Sequence, residues 1–292
     1  MGISAIGYNR PASLADACEL GRRLGSEGAF LAGGTELLPD YQRGRETALH
    51  LIALDAIEEL RGIRVEGNQL RIGALTTVAQ VAASRSVRGW FPALAEAAGA
   101  IGSPPIRSRA TIGGNFCRAV PCADTPPAAI AGGARVRLVG PGGTRELEAA
   151  DFFVAPRRTV LHPGEVLVEI VVPEQPALSG GSYQRFARRR GSALPVAAVA
   201  AWLEFADGKI AGARIVLGAV APVPLLAQRS AAVVVGESPT AELFALAAAV
   251  SAEEALPISD LRGSAAFRRE LVAVLTRRAL AEAARRAGVK PA

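Results

Sequence analysis

Two glycine pairs are the features of this chain of 292 residues best suited to chemistry. The first stands in Leu31-Ala32-Gly33-Gly34-Thr35-Glu36, where a short apolar run meets two glycines and a hydroxyl residue. The second stands in Arg109-Ala110-Thr111-Ile112-Gly113-Gly114-Asn115, with Pro121 and Asp124 after it. Glycine lets backbone N–H groups approach a phosphate closely, a concave run of such groups holds an anion, and a helix start adds a favourable dipole. One pair alone reads equally as a plain turn after a strand. Two pairs, roughly 80 residues apart, suit a single pyrophosphate clasped from both sides. Asp124 repels phosphate. It reads either as an acceptor for ribose or ribityl hydroxyls, or as the cap of a helix starting at Pro126-Pro127. Neither pair is the G-x-G-x-x-G of a nicotinamide-binding unit, and there is no P-loop.

Little other chemistry is on offer. The chain has two His (His50, His162) and three Cys (Cys18, Cys117, Cys122). Three cysteines cannot hold a four-cysteine iron–sulfur cluster, and they support no disulfide framework. The five candidate ligands have no zinc-type spacing. Cys18 falls on the apolar face of a helix and reads as a small core residue, and His50 beside an apolar strand reads as structural. Lys+Arg is 33 against Asp+Glu 27, a net charge of +6, and 31 of the 33 basic residues are Arg. They are scattered, the densest run being Arg188-Arg189-Arg190, which argues against a nucleic-acid reader. No apolar stretch reaches the ~18 residues of a membrane span, and the N-terminus carries no leader pattern, so a cytoplasmic protein with reduced thiols is expected.

The elements that must carry these residues follow from pattern. Helices are expected over Pro11 to Leu24, Glu36 to Tyr41, Thr76 to Ala83, Pro92 to Ala100, Ala241 to Ala255 and Ala265 to Ala287. Strands are expected at Ala29 to Ala32 and Leu49 to Leu54, and as a hairpin turning at Gly67-Asn68. Further strands are expected at Arg135 to Val139, Thr144 to Leu147 and Glu165 to Val172. Residues 101–127 are too rich in Gly, Pro, Ser and Asn to stay regular for long. Residues 173–181 read as a linker, after which three long strands precede the last helices, an α+β order.

Taken in order, the motifs resemble the flavin subunit of molybdenum hydroxylases, the medium-subunit family of xanthine dehydrogenase and carbon monoxide dehydrogenase. Ala32-Gly33-Gly34-Thr35-Glu36-Leu37, Arg71-Ile72-Gly73-Ala74-Leu75-Thr76-Thr77 and Ala110-Thr111-Ile112-Gly113-Gly114-Asn115 through Pro121 and Asp124 carry the likeness in the first half. Tyr183-Gln184-Arg185 with the Arg188 to Arg190 run, Gly218-Ala219-Val220-Ala221-Pro222, Asp260-Leu261-Arg262 and Phe267-Arg268 carry it in the second.

The resemblance implies an α+β fold. Residues 1–176 would form an FAD-binding domain of the vanillyl-alcohol-oxidase (PCMH) type, with subdomains of about 1–55 and 56–176. Residues 177–292 would form a smaller domain with a three-stranded antiparallel sheet and helices. It places the FAD pyrophosphate on Gly33-Gly34-Thr35 and Gly113-Gly114-Asn115, with Leu31, Ala32, Glu36, Leu37, Ala110, Thr111, Ala123 and Asp124 as contacts. Gly102 and Ile106 would lie near the flavin, and Leu167 near the adenine. Arg185 stands where relatives often carry a Lys beside the isoalloxazine; the residue itself reads equally as an outward-facing partner in a salt bridge. Cys117 and Cys122 read as packing residues near FAD, since the Cys-rich insertion of hydroxybenzoyl-CoA relatives is missing.

The implied assembly is a dimer of heterotrimers. A small subunit holds 2Fe–2S clusters, a large one holds the molybdopterin cofactor and the substrate, and this chain passes electrons through FAD to NAD, a quinone, oxygen or another carrier. Thr35-Glu36 replaces the His-Ser typical of carbon monoxide dehydrogenase proper, which puts a purine, an N-heterocycle or an aldehyde ahead of carbon monoxide as substrate. A non-catalytic, degenerate flavin scaffold that only helps assembly is the alternative.

Overall fold

A computed structural model describes residues 6–189 and 191–290. The first five residues, on which the leader reading partly bore, and Arg190 of the arginine run lie outside the described residues. Among the described residues no helix is long and apolar enough to cross a membrane.

The chain opens with a parallel sheet in the order Gly7–Asn9, His50–Ala53, Gly28–Leu31. The helix Leu14–Leu24 packs beside it. It begins at Leu14 and not at Pro11 because the Ser13 hydroxyl accepts from the Asp16 N–H and so caps it. Leu14 and Cys18 of this helix share a core with Ile52 and Leu54. Cys18 is thus a buried packing residue, and burial pushes its thiol pKa up.

A five-stranded antiparallel sheet follows, in the order Ile63–Glu66, Gln69–Gly73, Val166–Pro173, Arg135–Gly140, Gly143–Glu148. Strand alternation sends Leu70, Ile72, Val136, Leu138, Ile170 and Val172 to one face, against the helices between residues 78 and 131. The other face carries the buried carboxylate of Glu169, ringed by Arg64, Arg71 and Arg137. Residues 101–127 break into short helices, Pro104–Arg107, Ile112–Cys117 and the start of Thr125–Ala131.

The last sheet holds three long strands, Ser179–Ala187, Pro195–Ala206 and Lys209–Gly218, each longer than the Ser182 to Ala187, Ala197 to Phe205 and Ile210 to Leu217 that the pattern predicts, and a two-residue strand, Leu225–Leu226, extends it. The turn at Asp207-Gly208 has both residues at positive φ, +51° and +74°, as a two-residue hairpin requires. Pro195–Ala206 is buried on both faces. Ala198, Ala200 and Trp202 face the first core, while Ala197, Val199, Ala201 and Leu203 face the helices Ala241–Glu254 and Ala265–Arg286. Arg286 of the last helix ties the two halves, donating to Glu96 and to the Gly181 carbonyl.

Glu282 sits in the same knot. The Arg285 guanidinium, and then Arg286, holds its carboxyl down to about 2 from the ordinary 4.5. A carboxyl with a depressed pKa stabilises the fold above its unfolded value, and that stability is lost as pH falls through the folded one. Melting temperature is therefore expected to drop between pH 4.5 and about 2, and to drop less in Glu282→Gln. Thermal melts across that range check this; parallel curves for the two proteins refute it.

Candidate cofactor site

The two glycine loops meet. A Cβ on Gly33 would stand 2.0 Å from the Arg109 carbonyl oxygen, so only glycine allows the first loop to press on the second. Between them lies a cavity of about 310 Å3, lined by Ala32 to Leu37 on one side and by Ala110, Thr111, Gly114 and Asn115 on the other. Gly102 and Ile106 close one end. There it opens into a cavity of about 430 Å3 lined by Ala123, Asp124 and residues 192–194. At the opposite end an apolar cavity of about 110 Å3 is lined by Phe30, Leu54, Gly113 and Leu167. These three spaces form one cleft long enough for an extended molecule with an apolar end and a polar middle.

The loops differ in what they offer an anion. Among the described residues, no oxygen accepts from the N–H groups of Gly33, Gly34, Thr35, Glu36 or Leu37. Five successive free amides lining a cavity form the nest expected for a phosphate. The second loop is different. Ile112 N–H donates to the Thr76 carbonyl at 3.0 Å and Gly113 N–H to the Ala74 carbonyl at 2.9 Å. Gly114 N–H donates to the Thr111 hydroxyl at 3.1 Å and Asn115 N–H to the Thr111 carbonyl at 3.0 Å. The expectation of two open amide nests is therefore corrected to one. These amides dock the Ile112–Cys117 helix on the end of strand Gln69–Gly73, and a Cβ on Gly113 would meet Ala74 at 2.6 Å.

Side chains are what the second loop presents. The Thr111 oxygen accepts from Gly114, which leaves its proton to donate. Asn115 accepts through Oδ1 from the Thr125 hydroxyl at 2.6 Å and the Thr125 N–H at 3.2 Å, which leaves its Nδ2 to donate into the cleft. Thr111 is also the cap of its helix. Thr111→Ala is therefore expected to cost about 1 kcal/mol of stability, and Thr111→Ser almost none. Denaturant unfolding of both variants checks this; equal loss in both would contradict the cap.

Asp124 sits at the N-cap position of Thr125–Ala131 but makes no capping bond. Its Oδ1 accepts instead from the Tyr183 hydroxyl at 2.7 Å and from Arg185 Nη1 at 2.8 Å. Arg185 points inward and lines none of the three cavities. Its second terminal nitrogen donates to the Ala193 carbonyl at 2.9 Å, fixing the segment that walls the polar end. The outward-facing alternative for Arg185 fails because strand register turns Tyr183 and Arg185 to the same side, over Asp124. Burial pushes the Asp124 carboxyl above its ordinary range, opposed by the Arg185 guanidinium and the Tyr183 hydroxyl. Burial likewise lifts the Tyr183 hydroxyl and raises the Cys117 thiol to about 12, so Cys117 stays protonated, in keeping with a packing role.

Of the residues expected in the site, Leu31 and Arg185 stand behind the lining and the others line the cleft. Leu31 backs Gly34, whose φ is +73°. Tyr183 and the 192–194 segment were not assigned a role from the sequence. The i, i+2 spacing of Tyr183 and Arg185 on one strand face is the signal that marks the first.

Comparison with known proteins gives this geometry a family. The family model described as the FAD binding domain in molybdopterin dehydrogenase matches residues 4–175. The one described as the CO dehydrogenase flavoprotein C-terminal domain matches residues 182–283. A carbon monoxide dehydrogenase medium chain of Afipia carboxidovorans is 37% identical, over 96% of this chain and 97% of its own. A nicotine 6-hydroxylase medium subunit of Paenarthrobacter nicotinovorans is 32% identical, over 98% of this chain and 100% of its own. The solved carbon monoxide dehydrogenase of Hydrogenophaga pseudoflava superposes with a TM-score of 0.95 at 36% identity, over 98% of this chain and 99% of that one. An FAD-binding domain followed by a flavoprotein C-terminal domain, in the order and extent of these relatives, makes this chain a member of the FAD-binding medium-subunit family of molybdopterin dehydrogenases.

Proposed function

We propose that this chain is the electron-transfer subunit of a heteromeric molybdenum hydroxylase, holding FAD along the cleft between the two glycine loops. The observation that carries the reading is the run of five unaccepted N–H groups from Gly33 to Leu37, facing an otherwise hydrogen-bonded loop. These amides, with the Thr111 hydroxyl and the Asn115 amide nitrogen, would bind the pyrophosphate. Leu167 and its apolar neighbours would exclude water from the adenine end, and Asp124 and residues 192–194 would wall the flavin end. FAD, when bound, supplies the electron transfer for which no side chain here is suited. The chain's own work is to bind, orient and screen.

The finer picture belongs to the same proposal. Domains of 1–176 and 177–292, the first split near residue 55, agree with the separate sheets. This chain would work in the cytoplasm, with electrons arriving from 2Fe–2S clusters of a small partner and leaving to NAD, a quinone or another carrier. A large molybdopterin partner would hydroxylate the substrate, in a dimer of heterotrimers. The relatives compared carry names for carbon monoxide and nicotine chemistry. Thr35-Glu36 in the first loop favours a purine, an N-heterocycle or an aldehyde over carbon monoxide. The complete amide nest counts against a degenerate scaffold.

The test is direct. The purified full chain is expected to carry, or to take up, one FAD with the absorption of a bound flavin. A colourless protein that ignores added FAD overturns the reading.

A further inference from the structure

A fourth cavity, of about 480 Å3, branches from the polar end of the cleft and lies within the ~300–1,000 Å3 range of small-molecule sites. It shares Thr35, Glu36, Arg43, Val120, Cys122 and Leu194 with the neighbouring space, so a molecule seated in it borders the proposed flavin end. What it adds is arginine: Arg45, Arg157 and Arg262 line it and not its neighbour, and Arg43 stands where the two join.

The acids nearby are already matched. The buried Asp40 carboxylate takes Arg118 and, at 3.0 Å, Arg157, while Arg262 Nε shares Asp260 at 3.1 Å. Glu36 lies 3.4 Å from Arg118. Among the described residues Arg43 and Arg45 form no ion pair, and both are exposed at the mouth. Burial keeps the Cys122 thiol protonated, so it adds no negative charge. The remaining charge of the wall is positive.

Backbone strain concentrates at the same place. Arg157 has φ +62° and donates its N–H to the carbonyl of Ala119, itself at φ +46°. Ala219, at φ +64°, donates to the Pro121 carbonyl, and Ser192, at φ +47°, to the Gly102 carbonyl. Non-glycine residues in the left-handed region each cost free energy, and such strain collects at functional sites. Four of the five such residues described gather around this cavity and its neighbour, the fifth being the hairpin residue Asp207.

We infer that this cavity is an anion site, built on Arg43, Arg45 and Arg157, that seats the phosphate groups of a soluble nucleotide-type electron acceptor beside the flavin. Arginine forks match phosphate oxygens in pairs. A neutral quinone gains nothing from two unpaired guanidinium groups. The inference rests on the FAD reading and names the acceptor class for the same site.

The test uses the full chain saturated with FAD. Titration calorimetry with inorganic pyrophosphate is expected to give one saturable site that weakens as salt rises. The double variant Arg43→Glu, Arg45→Glu is expected to weaken it about tenfold or more, and Arg43→Gln, Arg45→Gln by less. An unchanged melting temperature shows that the fold is kept. A second readout follows reoxidation of the dithionite-reduced chain by ferricyanide or by neutral benzoquinone. Two ferricyanide ions take one electron each and two protons leave to water; one benzoquinone takes both electrons and both protons. The ratio of ferricyanide rate to benzoquinone rate is expected to fall about tenfold in the Glu double variant. No pyrophosphate binding to the FAD-loaded chain, equal binding in the variants, or an unchanged ratio overturns the inference while leaving the FAD reading intact. A chain that takes no FAD overturns both.

Discussion

Replacing Gly114 with leucine is expected to release FAD while the chain stays folded. A Cβ on Gly114 meets only the Thr111 hydroxyl oxygen, at 2.9 Å, and the rest of a longer side chain enters the cavity between the loops. Gly33 and Gly113 are poorer probes, since a Cβ on either strikes backbone at 2.0 and 2.8 Å and would damage the apposition itself. A leucine at Gly114 fills the space in front of the first-loop amides. Losing two charge-assisted hydrogen bonds at about 1.5–3 kcal/mol each weakens FAD by at least about a hundredfold. The measurements are flavin content after gel filtration and the far-ultraviolet circular dichroism of the same sample. Stoichiometric flavin in a folded Gly114→Leu chain would falsify the placement of the pyrophosphate.

The second large effect concerns stability. Asp124→Ala leaves the Arg185 guanidinium with the Ala193 carbonyl alone, and strands the Tyr183 hydroxyl, in surroundings where Asp124 is only 4% exposed. Removing one partner of a buried ion pair costs about 3–5 kcal/mol because the other charge stays buried. The upward push of burial on the Asp124 carboxyl says that the pair itself gives little net stability. The cost is therefore that of the orphan, and removing both charges should recover much of it. Asp124→Leu with Arg185→Met is expected to unfold at a denaturant concentration well above that of Asp124→Ala. A double variant as weak as the single, or a single as stable as the parent, would refute this account.

Much of the site was legible in sequence because it depends on local pattern. A strand entering Gly33-Gly34-Thr35, and the ordered motifs from Leu31 to Asp124, need only neighbours in the chain. What escaped depends on distance. The amides of Ile112 and Gly113 are taken by Thr76 and Ala74, about 36 to 39 residues away, across a register that no periodicity encodes. The Ile112–Cys117 helix contains two glycines and reads as irregular, yet docking on strand Gln69–Gly73 and the Thr111 cap hold it. Asp124 reads from sequence as a hydroxyl acceptor or a cap, but its partners come from 59 and 61 residues on, in another sheet. The helix Arg85–Trp90 leaves no clear sign in the sequence because its cap, Ser84, also ends the preceding helix, so a shared residue blurs two short elements.

The asymmetry between the loops bears on how the protein matures. The backbone amides of Ile112 to Asn115 all find acceptors within the chain, so the protein itself sets the shape of the second loop. The five backbone amides from Gly33 to Leu37 have no acceptor among the described residues, and the contact between Gly33 and Arg109 holds the loop in place. Loading is then a docking event onto a finished surface, free of the ordering entropy that a site folding around its ligand must lose. A surface set in this way is expected to be refillable, so that a chain stripped of flavin and given it again recovers its full flavin content.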